Sequence, residues 1–337
     1  MQTKKYDIIT FGRSSIDLYS NDIGSRFEDI TNFAAYVGGS PLNIAVGCSR
    51  LGLKSALITG LGEDKVGSFI LKFLKKENVE TKFIPIVKTA RTSAVILGIE
   101  PPDKFPLVYY RDNCADIEIT IDDVIKANIE NARLLEISGT ALSRDPSRSS
   151  AFFAAEQAYN NGIPVLLDLD FRADQWDDIR AFGVMSRALL SKVKIAIGTE
   201  EEIKATMLSR LEQVSIKDQQ ISAPEITGDI DLAIAEILKM GPEILIVKRG
   251  EKGASYHHKD GFSELVQGFP VQVTNILGAG DAFASGFIYG YLKGWNWHQS
   301  IRMGNASGAI VVTRHGCANF MPYEKEALEF VENNGGF

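Results

Sequence analysis

The chain has 337 residues, of which 45% are hydrophobic and 23% are charged, and its formal net charge is −7 at pH 7. The length fits one large α/β domain, or one domain with a small insertion. The acidic balance argues against a generic nucleic-acid-binding protein. Three widely separated cysteines are typical of reduced thiols. Without a long apolar run or a signal peptide, we expect a cytoplasmic protein that does not bind membranes.

The N-terminal part combines a short strand with a glycine-rich helix start. Residues 6–11 predict an apolar strand that ends at Gly12-Arg13, and such an end often opens toward a ligand site in α/β proteins. In Gly38-Gly39-Ser40-Pro41, the serine suits a helix cap and the proline suits the first helical position. The adjacent glycines let the backbone approach a ligand. A loop with a capped helix is the plainer interpretation.

Strand and helix patterns alternate through the middle of the chain, which indicates a mainly parallel sheet with helices on both faces. Two arginines here are candidates for anion binding, because a guanidinium presents a planar fork of donors. Arg111 follows Tyr109-Tyr110, and Arg172 ends the pattern Asp168-x-Asp170-x-Arg172. A structural or surface ion pair is the alternative for each arginine.

An acidic run, Glu200-Glu201-Glu202, follows the strand predicted at residues 193–197. Carboxylates at such a place can support Mg²⁺, which keeps several waters and takes few protein ligands. The alternative is that these side chains only complement the N-terminus of the next helix.

The most informative stretch is Asn-Ile-Leu-Gly-Ala-Gly-Asp at residues 275–281, which an apolar run of helical length follows. Residues 269–274 alternate in polarity and predict a strand before it, and the apolar helix should be buried. A glycine turn before a helix suits an anion, because the first N–H groups lack intrahelical partners. Asp281 adds a carboxylate that could accept the proton of an attacking hydroxyl in phosphoryl transfer. The alternative is that Asp281 only caps the helix.

The patterns Gly-Gly-x-Pro-x-Asn at 38–43 and Asn-x-x-Gly-Ala-Gly-Asp at 275–281 resemble the two signatures of the ribokinase-like, or phosphofructokinase B-type, carbohydrate kinases. The resemblance implies an α/β protein with a three-layer α/β/α fold, a mainly parallel central sheet and a small β-sheet lid. One kinase domain would cover residues 1–337, with the lid formed by about 13–37 and 90–112. The implied activity is transfer of a phosphoryl group from ATP, with Mg²⁺, to a primary hydroxyl of a sugar or sugar acid.

The resemblance also implies roles for individual residues. In the family the glycine turn forms an anion hole and the aspartate is the catalytic base, which here implies Gly278, Ala279, Gly280 and Asp281. The implied substrate-binding residues are Asp17, Gly38, Gly39, Asn43, Tyr110, Arg111 and Arg172. The implied nucleotide-binding residues are Lys248, Gly250, Gly253 and Asn305, and Glu202 is the implied support for Mg²⁺, through water.

Two positions depart from the family pattern. Ile276 replaces the usual threonine near the nucleotide and monovalent-cation region, which leaves a requirement for K⁺ open. Thr199 replaces the asparagine of the family's Asn-x-x-Glu motif, which leaves the details of metal support open.

The two candidate arginines favour a sugar acid as the acceptor, because a neutral sugar needs no cationic partner. Four segments, at residues 12–19, 38–43, 101–106 and 275–281, are most similar to one group of sugar-acid kinases. A kinase of 2-keto-3-deoxygluconate is the second candidate, and a fructokinase or ribokinase is the third. A non-catalytic sugar-binding regulator is a candidate of another class. A homodimer is a further expectation.

Overall fold

The computed structural model describes residues 4–100, 104–216, 224–315 and 317–337. The strands are β1 (Tyr6–Phe11), β2 (Ser15–Ser20), β3 (Phe33–Gly38), β4 (Ser55–Ile58), β5 (Leu61–Gly62), β6 (Ile86–Val87), β7 (Ser93–Leu97), β8 (Leu107–Tyr110), β9 (Ala132–Ser138), β10 (Val165–Asp168), β11 (Ile195–Thr199), β12 (Val214–Ser215), β13 (Glu225–Ile226), β14 (Ile244–Lys248), β15 (Ala254–His258) and β16 (Ser263–Val266). The helices are α1 (Ser40–Arg50), α2 (Lys65–Lys76), α3 (Ile121–Ala127), α4 (Ser147–Asn160), α5 (Arg180–Leu190), α6 (Glu200–Ala205), α7 (Ile230–Lys239), α8 (Ala279–Leu292), α9 (Trp297–Val312) and α10 (Glu324–Asn333). Within these ranges, none of the helices is both long and apolar enough to cross a membrane.

The central sheet has the strand order β16-β15-β14-β11-β10-β9-β1-β4. Neighbouring strands from β14 to β4 are parallel, and β15 and β16 extend the sheet as an antiparallel edge. Because parallel strands all point the same way, their carboxyl ends lie along one edge of the sheet. Loops that follow these ends supply most of the candidate site residues.

Alternate residues of the parallel strands enter two separate hydrophobic cores. Ile9, Leu135 and Leu167 pack with α3 to α7 on one face. Their neighbours Ile8, Leu134 and Leu166 pack with α1, α8, α9 and α10 on the other. Burial on both faces explains why these strands are almost continuously apolar. The predicted three-layer α/β/α class with a mainly parallel sheet is confirmed.

A second sheet, which we call the lid, has the strand order β3-β2-β7-β8. β2 pairs in parallel with β7, whereas the outer pairs β2–β3 and β7–β8 are antiparallel. Its strands lie at residues 15–38 and 93–110, in the two parts of the sequence from which the resemblance implies a lid. Pro101-Pro102-Asp103, in one of the segments similar to sugar-acid kinases, lies outside the described residues.

The strand predicted at residues 269–274 is wrong. These residues have no regular secondary structure. Pro270 has no N–H to donate to a ladder, and the N–H groups of Thr274 and Asn275 donate to the Val312 carbonyl at the end of α9, at 2.7 and 3.2 Å. The alternation instead reflects packing of Val271 on the core while Val273 remains exposed.

The predicted buried helix after Gly280 is confirmed as α8, whose backbone approaches α9 closely at Gly286. A Cβ atom at residue 286 would lie 2.5 Å from the Met303 carbonyl oxygen and 2.5 Å from Ser307 Oγ. The α9 backbone cannot withdraw without disturbing the rest of the core.

We therefore expect Gly286→Ala to lower the free energy of unfolding by about 1–3 kcal/mol through overpacking. Gly228→Ala is a matched control, because a Cβ there would be 3.7 Å from its nearest neighbour, Lys204 Cβ. It should change stability by no more than about 0.5 kcal/mol. Urea denaturation of both variants measures the difference, and equal stability of the two would contradict the close packing of α8 on α9.

Candidate active site

Asp281 lies in the first turn of α8 and does not cap it. The N-cap is Gly278, with the left-handed dihedral angles φ 75° and ψ −3°, which a side chain would strain. The partly exposed Asp281 carboxylate instead accepts a hydrogen bond of 2.7 Å from Asn43 Nδ2. The interpretation of Asp281 as only a helix cap is therefore wrong.

The surroundings of Asp281 raise the pKa of its carboxyl to about 6. Burial is the largest cause, followed by the nearby Asp170, whereas Asn43, Ser40 and Lys248 oppose the rise. A carboxylate with this pKa is a stronger base than an ordinary aspartate and is still mostly ionised at neutral pH.

The predicted anion hole lies beside the Lys248 ammonium. A Cβ atom at Gly280 would be 3.1 Å from Lys248 Nζ, so glycine allows this approach. Ala282 makes the first intrahelical bond of α8, to Gly278, and the Ala279 N–H already donates to the Ile276 carbonyl at 3.3 Å. The N–H groups of Gly280 and Asp281 therefore precede the regular helical bonds. They give this helix end a positive character.

Lys248 is held by two carboxylates. Its Nζ lies 3.4 Å from Asp168 Oδ1 and 3.7 Å from Glu202 Oε2. Burial disfavours the charged ammonium, but Asp168 and Glu202 raise the pKa of Lys248 above its usual value. Lys248 thus stays positive next to Gly280, where a negatively charged group would be stabilised.

The residues predicted to bind a sugar surround Asp17 in the lid. Asp17 Oδ1 accepts a hydrogen bond from Ser15 Oγ at 2.6 Å, and a Cβ atom at Gly38 would overlap the Asp17 carboxylate. Gly39 follows with φ 107° and caps α1, which carries Asn43. Burial raises the pKa of Asp17, although Arg13 opposes this. The structure therefore brings Asp17, Gly38, Gly39 and Asn43 together, and Asn43 joins them to Asp281.

Arg172 connects the substrate side of the cluster with Glu202. Its Nη2 lies 2.8 Å from Asp170 Oδ1, and its Nη1 lies 3.5 Å from Glu202 Oε1. Asp170 also accepts hydrogen bonds from Ser138 and Thr140. Burial alone would raise the pKa of Asp170, but Arg172, Arg13 and Ser138 lower it below its usual value, so Asp170 remains ionised.

Glu202 both caps α6 and faces the cluster. Its Oε2 accepts the Thr199 N–H at 2.7 Å, and its own N–H donates to Thr199 Oγ1 at 3.2 Å. Thr199 thus serves as the cap where the family motif has asparagine. In the described ranges, no three carboxylate, cysteine or histidine side chains form a metal-binding group.

Mg²⁺ held chiefly by water and nucleotide phosphates would fit this edge of the sheet. Asp168 Oδ2 is buried and has no hydrogen-bond partner in the described part of the chain. Burial raises the pKa of Asp168 to about 7, and Lys248 opposes this rise. Asp168 and Glu202 both contact Lys248, which lies beside the anion hole, and one or two carboxylates are what a nucleotide-bound Mg²⁺ usually contacts.

The structure does not bring Tyr110 and Arg111 to Asp281. Side chains of β8 alternate, so Tyr110 points outward and is 56% exposed, whereas Tyr109 faces inward. Arg111 is buried in an ion pair, with Nε and Nη2 each 2.7 Å from Asp116 Oδ2. This is the structural alternative that the sequence left open for Arg111.

Two inward-facing residues were missed by the sequence prediction. Arg13 is 6% exposed, donates from Nη1 to Ser15 Oγ, and lies 5.0 Å from the centre of the Tyr109 ring. The position of Arg13 directly after the first strand and the period of two in β8 were the available signals.

Gly250, Gly253 and Asn305 meet at a second place, beyond Lys248. The turn at residues 250–252 follows β14, with Gly250 and Gly253 at φ 60° and 92°. Asn305 Nδ2 donates to the carbonyls of Val266 and Gln267, next to this turn. The predicted nucleotide-binding residues therefore extend from the Asp281 cluster along β14 to the end of β16.

The fold and the sequence are similar to known carbohydrate kinases. A model of the pfkB family of carbohydrate kinases matches residues 5–324. A 5-dehydro-2-deoxygluconokinase of Geobacillus thermodenitrificans is 32% identical over 333 residues, which cover 98% of this chain and 95% of that protein.

Solved structures of other kinases have the same fold. A protein of E. coli described as ribokinase II, solved with ATP and Mg²⁺, superposes with a TM-score of 0.84 at 22% identity over 98% of this chain and all of that one. A fructokinase double mutant of Vibrio cholerae, solved with fructose, ADP and potassium ion, superposes with a TM-score of 0.79 at 22% identity, over 98% of this chain and 99% of that one.

The family match over nearly the whole chain agrees with the glycine turn, Asp281 and the lid on the carboxyl edge of the sheet. The predicted relationship is confirmed: the chain belongs to the pfkB family of carbohydrate kinases.

Proposed function

We propose that this carbohydrate kinase phosphorylates 5-dehydro-2-deoxy-D-gluconate at its terminal primary hydroxyl and forms the 6-phosphate, a step of myo-inositol catabolism. The observation that carries the proposal is the contact of Asp281 with Asn43 beside the glycine turn and Lys248. This contact supports a site in which the acceptor hydroxyl and the transferred phosphoryl group meet at Asp281. The full-length similarity to 5-dehydro-2-deoxygluconokinase supports this particular acid.

In the proposed reaction, Asp281 takes the proton of the acceptor hydroxyl while the hydroxyl oxygen bonds to the γ-phosphorus of ATP. The bond from that phosphorus to the bridging oxygen breaks, and ADP leaves with the electron pair. The N–H groups of Gly280 and Asp281 and the Lys248 ammonium stabilise the charge on the moving phosphoryl group. Mg²⁺, when bound near Glu202, would neutralise charge on the nucleotide phosphates.

Asp17 and Asn43 orient the acceptor, and the lid limits access of water to the phosphoryl group. Lys248, Gly250, Gly253 and Asn305 are the proposed nucleotide-binding residues. The cytoplasm is the proposed location. Dependence on a monovalent cation and a homodimer remain predictions, which activity with and without K⁺ and analytical ultracentrifugation can test.

Kinases of 2-keto-3-deoxygluconate and of neutral sugars such as fructose are the competing functions. Turnover of each acceptor with ATP separates them, and a tenfold higher kcat/KM for fructose than for 5-dehydro-2-deoxygluconate would contradict the proposal. A protein that binds these sugars without ATP turnover would be the non-catalytic regulator.

Replacement of the base should abolish most of the turnover. We expect Asp281→Asn to lower kcat by about a hundredfold to ten-thousandfold, because the amide cannot accept the proton. Steady-state kinetics measures this loss. Asp178→Asn is the control, since Asp178 lies in an exposed ion pair with Arg180 and should leave kcat unchanged. Wild-type turnover by Asp281→Asn would remove Asp281 from the catalytic role.

The kinase activity should fall at acidic pH. Because only the ionised form of Asp281 is a base and its pKa is about 6, kcat/KM should be constant at higher pH and should decline below that value. Lys248→Met should move this decline to higher pH, since the ammonium favours the ionised carboxylate. A pH profile for both proteins tests this, and an unchanged midpoint in the variant would argue against Asp281 as the titrating group.

Lys248→Met should also reduce kcat, by on the order of a hundredfold, because a positive group next to the anion hole is lost. The matched variant is Lys239→Met, which removes a lysine from an exposed pair with Glu236. Equal kcat values for the two variants would show that the Lys248 charge does not assist phosphoryl transfer.

A further inference from the structure

Three arginines are candidates for binding an acidic acceptor, and they differ in how their charge is balanced. Arg111 is paired with Asp116. Arg172 is shared between Asp170 and Glu202. Arg13 has no ion pair with a carboxylate among the described residues, although it is 6% exposed. Of these three guanidinium groups, Arg13 is thus the one without a contacting anion.

The donors of Arg13 are also largely unused. Its Nη1 donates to Ser15 Oγ at 3.0 Å, but neither Nε nor Nη2 has a hydrogen-bond partner in the ranges that the structure describes. These two nitrogens form one edge of the guanidinium plane. That edge matches the two oxygens of a carboxylate, which can accept two parallel hydrogen bonds. Burial opposes the charged form of Arg13, whereas Tyr109, Asp17 and Asp170 raise its pKa, although no carboxylate of the described residues pairs with it directly. The free edge can therefore form a direct ion pair with a bound carboxylate.

Arg13 lies on the acceptor side of the site and not on the nucleotide side. Ser15 accepts a hydrogen bond from Arg13 and donates one to Asp17. The backbone carbonyl of Arg13 lies against Gly39. Tyr109 of the lid covers the guanidinium. The phosphate end of the site is marked separately, by Lys248 at Gly280.

We infer that Arg13 binds the carboxylate of the acceptor through its Nε–Nη2 edge, and that Arg13, not Arg111, makes the enzyme specific for a sugar acid. The inference rests on the proposed function, since it requires an acidic acceptor. A neutral sugar would leave this guanidinium unpaired, so discrimination between the two substrate classes originates at Arg13.

The test compares kcat/KM for 5-dehydro-2-deoxygluconate and for fructose in the wild type, Arg13→Gln and Arg13→Lys. Arg13→Gln should lower the value for the acid on the order of a hundredfold, because a charge-assisted pair of hydrogen bonds is lost. It should change the value for fructose by less than about threefold, because a neutral sugar makes no such pair. Arg13→Lys, which keeps the charge but not the fork, should lie between wild type and Arg13→Gln.

Arg111→Gln is the matched control at a buried arginine. It should lower the melting temperature, because it leaves Asp116 unpaired, and should keep the wild-type ratio of acid to fructose. Where fructose turnover is too slow, calorimetric affinities for the acid and for the alcohol formed by reducing its carboxyl group give the same ratio.

Two results would overturn the inference. In one, Arg13→Gln lowers kcat/KM, or the affinity, by the same factor for the acid and for the neutral ligand, which is the result expected of a purely structural role. In the other, the ratio changes in Arg111→Gln and not in Arg13→Gln. Failure of the proposed function is distinct from both, because it is seen in the wild type itself as a preference for the neutral sugar.

Discussion

The candidate site depends on the balance of buried charges at the carboxyl edge of the central sheet. Asp168 ends β10 and Asp170 follows it, whereas Glu202 lies in α6 and Asp281 in α8. Desolvation alone would drive Asp168, Asp170 and Asp281 toward their neutral forms. Lys248 and Arg172 lie between them and form ion pairs with Asp168, Asp170 and Glu202. The same two cations join the proposed acceptor side, the proposed anion hole and Glu202, the proposed support for Mg²⁺, in one network. Removal of either partner would leave an uncompensated buried charge, which is costly.

That balance also sets the chemistry of Asp281. Its neighbour Asp170 is held ionised by Arg172, Arg13 and Ser138, and an ionised Asp170 raises the pKa of Asp281. Asn43 and Lys248 limit this rise, so the base remains usable near neutral pH. The proton affinity of the proposed base is therefore a property of the network. The glycine turn adds N–H donors without adding a side chain that would exclude a phosphate.

The sequence predicted the parts of the site that depend on local pattern. Gly278 to Asp281 and Gly38 to Asn43 are short motifs, and the almost continuous apolar runs of α8 and of the parallel strands indicated burial. The choice among the arginines depended on partners that the sequence could not show, because the ion pair of Arg111 with Asp116 forms only when the chain after β8 turns back. The resemblance implied Tyr110, but adjacent residues of a strand point to opposite faces, and in β8 it is Tyr109 that faces inward. The strand at residues 269–274 was predicted wrongly because Val271 is partly buried and its neighbours are exposed, which gives the same alternation of polarity as a strand.

Recognition of an acid by Arg13 would join the core to the lid. Arg13 follows β1 of the central sheet, whereas Tyr109, which covers its guanidinium, belongs to β8 of the lid. A carboxylate bound at the free guanidinium edge would lie against both elements and would form the direct ion pair that Arg13 lacks among the described residues. Binding of the acid would then favour the arrangement in which the lid rests on the core, which is also the arrangement that keeps water from the phosphoryl group. A neutral sugar would offer no comparable stabilisation, so the proposed contact would link the choice of acceptor to protection of ATP from hydrolysis.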